Sequence, residues 1–77
     1  MGSFVEINLI NENPKDQLEK ANAIVKNFAE EDKKILLTKN EMLVKIIPLI
    51  AIKKQIKIKI KIVEDIWNIT LEGRNYV

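Results

Sequence analysis

Seventy-seven residues with thirteen basic and eleven acidic side chains give one small domain, residues 1–77, with a net charge of +2. A chain this short buries only about 60–65% of the surface its unfolded state exposes, so a disulfide, a metal or a second subunit is expected to reinforce it. With no cysteine and no histidine, disulfides and thiolate metal sites are excluded and the commonest zinc ligand and general base are missing, which leaves self-association.

The 47% hydrophobic content, with fourteen isoleucines, supports an ordered fold rather than a disordered chain. The densest apolar run, MLVKIIPLIAI (42–52), carries Lys45 and Pro48 and falls short of the ~20 residues that cross a bilayer. The N-terminus has neither the basic nor the apolar stretch of a signal peptide, and Glu6 occupies the position where myristoylation needs Ser or Thr. No membrane association is expected, and a cytoplasmic location is. The sequon NIT (68–70) therefore reads as polar positions on a strand.

SFVEINLI (3–10) alternates Val5, Ile7 and Leu9 with Glu6 and Asn8, which predicts a strand with one buried face. NENP (11–14) ends it. Asn13 suits a helix N-cap, Pro14 the first helical position and Asp16 the positive end of the helix dipole. A helix is predicted from there to about residue 31, with Leu18, Ala21, Ile24, Val25 and Phe28 along one side. EEDKK (30–34) is its polar exit.

The rest of the chain is read by pairing. A two-residue turn at Glu64-Asp65 sets Val63 against Ile66, Ile62 against Trp67, Ile60 against Ile69 and Ile58 against Leu71. On the other face Lys61 meets Asn68, Lys59 meets Thr70 and Lys57 meets Glu72. A one-residue slip would send every isoleucine to the wrong face. Glu-Asp lacks the glycine or asparagine that such turns favour. Turns at Lys39-Asn40 and Lys53-Lys54 pair the upstream segments in the same way, with a phase flip at a bulge near Pro48. The expected fold is α+β, one helix on a mainly antiparallel sheet, in the order β-α-β-β-β-β. The alternative takes TKNE (38–41) as a capping box, with Thr38 as the cap. Residues 39–52 then form a second helix, giving β-α-α-β-β.

Little suggests catalysis. Gly2 and Gly73 are the two glycines, too few for a phosphate-cradling loop. The carboxylates of Glu30-Glu31-Asp32 and Glu64-Asp65 fall at element ends, where acids are ordinarily solvated. Neither an enzymatic activity nor a cofactor nor a metal is expected.

Charge is uneven along the chain. Residues 1–41 hold eight acids and six lysines, hence −2, and residues 42–77 hold seven basic residues and three acids, hence +4. From Met42 to Val63 there are six lysines and no acid. Lys53, Lys54, Lys57, Lys59 and Lys61 are candidate phosphate contacts for a nucleic acid. Against this, lysines also keep an isoleucine-rich strand from pairing with other chains, and Trp67 falls on the apolar face. In the all-strand registers Leu36, Leu43, Ile46 and Ile50 point away from the helix-facing core. A contiguous apolar surface of that kind marks an interface, so these four are the candidate oligomer contacts, a twofold dimer being the first expectation. The leading functional expectation is a non-enzymatic module that self-associates through apolar sheet surface; nucleic-acid binding by the lysine row is the alternative.

Overall fold

Asn13 begins the first helix as its composition suggests: its side chain accepts a hydrogen bond from the Asp16 N–H at 2.8 Å, and Pro14 follows in the first turn. The structure, a computed structural model, describes residues 4–76. Among them the elements run β1 (Phe4–Asn8), α1 (Pro14–Lys26), β2 (Lys33–Thr38), α2 (Glu41–Ile52), β3 (Lys57–Val63) and β4 (Ile66–Glu72). Ser3, included in the first expected strand, lies outside the described residues.

The fold is α+β, with a four-stranded sheet in the order β1-β2-β4-β3. β1 and β2 are parallel, joined through α1, while β2–β4 and β3–β4 are antiparallel. The hairpin has the register read from the sequence, from Lys57 opposite Glu72 to Val63 opposite Ile66, with Ile60 facing Ile69. Glu64 and Asp65 form the turn with φ of 52° and 66°. Left-handed conformations at both positions match the right-handed twist of the strands.

Residues 41–52 correct the leading expectation. They form the second helix of the alternative reading, and β2 persists ahead of it, so the order is β-α-β-α-β-β. The turn at Lys39-Asn40, the bulge at Pro48 and the hairpin at Lys53-Lys54 are not formed. Asn40, rather than Thr38, caps α2, accepting from the Met42 N–H at 3.0 Å. Leu43, Ile47 and Ala51 recur every four residues and are buried together, one continuous stripe along the side that the helix turns to the core. Pro48 cannot donate to the Val44 carbonyl and its ring crowds that carbonyl, yet the helix continues through it to Ile52. At its end Ile56 N–H reaches the Ala51 carbonyl and Gln55 N–H the Ile52 carbonyl, both at 3.1 Å. Gln55 adopts φ 59° in this helix-terminating motif. The apparent hairpin turn at Lys53-Lys54 is thus the end of a helix.

One smaller difference concerns α1. It stops at Lys26 instead of about residue 31, because residues 27–32 fold into turns, with the Asp32 carboxylate accepting from the Ala29 N–H at 3.0 Å. Gly73 packs against this turn: a Cβ there would stand 2.1 Å from the Glu30 carbonyl oxygen.

Both helices cover one face of the sheet. Leu36, Ile69 and Leu71 from the strands and Leu9 just after β1 meet Ala21 and Val25 of α1 and the buried stripe of α2. Within this layer Thr38 donates to the Gln17 side-chain carbonyl, and Gln17 Nε2 donates to the Glu12 carbonyl at 2.8 Å. The Asn40 N–H in turn donates to Thr38 Oγ1 at 3.0 Å. One buried polar cluster therefore ties α1 to β2 and to the cap of α2. Among the described residues nothing forms a layer over the other face of the sheet.

Candidate functional site

Alternation fixes what the uncovered face carries. Registered across the sheet, its side chains fall into three full rows, Lys57, Glu72, Lys33 and Phe4; Lys59, Thr70, Ile35 and Glu6; Lys61, Asn68, Leu37 and Asn8, with the apolar pair Val63 and Ile66 beyond them at the turn. Successive lysines on β3 stand about 6.5–7 Å apart, two strand residues. One shallow depression of about 390 Å³ is lined by Lys33, Lys59, Ile60, Lys61, Thr70 and Glu72, and a neighbouring one of about 210 Å³ by Lys57, Lys59, Thr70 and Glu72.

In the sequence Lys33 belongs to the polar exit of the first helix. It lies on this face, its ammonium 5.7 Å from the Phe4 ring centre and 5.3 Å from that of Tyr76. Only the long-range pairing of β2 with β4 places it there, and no local pattern signals that pairing. The parallel pairing of β1 with β2 sets Phe4 opposite Lys33, and with Tyr76, which follows β4, adds two aromatic rings to a lysine face that otherwise has none. Lys53 and Lys54 sit elsewhere, at the end of α2. Lys54 donates to the Lys26 carbonyl at 2.6 Å, closing the C-terminus of α1.

The four candidate interface residues also separate. Leu36 is 0% and Leu43 1% exposed, both on the helix-facing side, which corrects the expectation that they point away from the core. The reason is the helix: once residues 41–52 wind up, Leu43 turns inward, and β2 pairs with β4 in the phase that buries Leu36. Ile46 and Ile50 are half-buried on α2. Surface hydrophobicity is present on the outer side of that helix, where Met42 is 59%, Leu49 65% and Ile52 73% exposed. An adjoining groove between the two helices, about 290 Å³, is lined by Leu18, Met42, Leu43 and Ile46 with Pro14, Lys15 and Asn40.

Among the described residues no three carboxylates converge to hold a metal ion, and no helix is long and apolar enough to cross a membrane. No protein-family model, curated protein or solved structure matches this chain.

Proposed function

We propose that this protein is a non-enzymatic assembly module that pairs with a second copy of itself through the outer side of α2. The supporting observation is the exposure of Met42, Leu49 and Ile52 on a twelve-residue helix that carries two charged side chains, Glu41 and Lys45. Met42, Ile46 and Leu49 recur at helical spacing and form one stripe, with Ile52 beside it. A twofold pairing covers such a stripe with its own counterpart and needs no further sequence feature. It also gives a 77-residue chain without cysteine the second subunit that its small core calls for. The absence of histidine and cysteine supports a binding role over a catalytic one.

Sedimentation equilibrium tests the reading. The expected mass is twice 8.9 kDa, and Leu49→Lys, an exposed position, returns the mass to that of one chain with the thermal melt still cooperative. A wild-type mass of 8.9 kDa at millimolar concentration overturns it.

A further inference from the structure

We propose that the uncovered face of the sheet binds single-stranded nucleic acid, with phosphates along Lys57, Lys59 and Lys61 and bases laid across β4 and β2. The three rows share one order. Each begins with a lysine on the edge strand, passes a hydrogen-bonding side chain on β4 and reaches a hydrophobic or aromatic group beyond it. In sequence of rows the β4 group is Glu72, Thr70 or Asn68, and the group beyond is the Phe4–Lys33–Tyr76 cluster, Ile35 or Leu37. A nucleotide offers three matching chemistries: an anionic phosphate, a polar base edge and a flat base face. The row spacing of about 6.5–7 Å suits one nucleotide of an extended strand.

Protection of an edge strand explains part of this arrangement, since β3 is an edge of the sheet. It requires charge on β3 and nothing else. It does not account for Lys33 two strands away between two aromatic rings, nor for Phe4 left 56% exposed on the same face. Single-strand binders combine a cationic track with aromatic platforms in this way. A duplex fits less well, because its phosphates lie outside its bases and neither the β4 groups nor the rings would find a base to meet. The face is opposite the helix layer, so this inference does not depend on the dimer proposed above.

Fluorescence anisotropy with labelled oligothymidylate and oligouridylate tests it, beside a duplex of equal length and polyglutamate as competitors. The single strands are expected to bind with a log–log salt slope of about −2 to −3, three or four phosphate contacts at roughly 0.7 each. Replacing Lys57, Lys59 and Lys61 together by Glu abolishes binding. Lys59→Gln alone, a milder change, reduces the slope by about 0.7 with the melt unchanged. Phe4→Ala weakens binding by about fivefold or more and leaves the slope intact, the signature of a lost stacking partner. No binding at low salt, or equal competition by duplex or polyglutamate, overturns the proposal. So does a Phe4→Ala variant with wild-type affinity.

Discussion

The β3–β4 hairpin and α2 are neighbours in the chain and in the core, yet they encode their structures differently. In the hairpin, each isoleucine at 56–62 is followed by a lysine or valine, and the partner strand answers residue for residue. Two strands with strict alternation admit one register in which every apolar side chain meets an apolar partner. In α2 the run MLVKIIPLIAI is apolar nearly all round, so periods of 2 and 3.6 both find partners, and a short apolar run does not distinguish helix from strand. Its conformation is decided by contacts outside the run: the Asn40 cap before it and the Gln55 reversal after it. A surface that is half lysine specifies itself; a segment that is almost all hydrophobic is specified by its ends.

Leu43 breaks this comparison most directly. As a strand residue it would point to the surface; in α2 it is 1% exposed. Leu43→Ala should therefore cost about 2–5 kcal/mol in denaturant melts, as Ile69→Ala should in the hairpin. A loss below about 1 kcal/mol for Leu43 alone would mean that residues 41–52 do not fold as a helix against the sheet.

The buried polar cluster comes next. Thr38→Val keeps the shape of the side chain but removes the hydroxyl, leaving the Gln17 carbonyl and the Asn40 N–H without their partner. The expected loss is about 1–3 kcal/mol. Restoring stability in a Thr38→Val, Gln17→Leu double variant would locate the penalty in the orphaned groups. An additive double variant would place it elsewhere.

What was legible follows the same division. The first strand, the Asn13 cap and the whole hairpin register could be read because each rests on residues near in sequence or on a self-consistent pairing. The sheet order could not: β2 lies between β1 and β4, and the strand that pairs with it follows an intervening helix. That one missing fact misplaced Leu36 and hid Lys33. The lysine row itself was visible, but its setting beside Phe4 and Tyr76 depended on the same long-range pairing.

The Asn40 cap sharpens the account of α2 at a smaller scale. Asn40→Ala removes the acceptor for the Met42 N–H and should lower stability by about 1 kcal/mol. Circular dichroism should show a loss of helix content near the transition. If Thr38 were the cap, Asn40→Ala would be nearly silent, so the two assignments separate cleanly.

The smallest expected effect lies in the hairpin, where register and turn chemistry disagree. Glu64 and Asp65 both hold positive φ, 52° and 66°, in a two-residue turn whose preferred residues are Asn and Gly. A side chain with a Cβ adopts the left-handed region at roughly 1–2 kcal/mol per residue. Aspartate tolerates it better than glutamate, and glycine loses more chain entropy on folding. Glu64→Asn with Asp65→Gly should therefore stabilise the fold by about 0.5–1 kcal/mol, with Ile60 still opposite Ile69. The turn is exposed and lies at the far end of β3 from Lys57, so the change should also leave the sheet face unaltered. Destabilisation by the pair would show that the two acids contribute something at the turn that outweighs their backbone strain. A shift in register would show that the isoleucine pairing does not fix the hairpin without them.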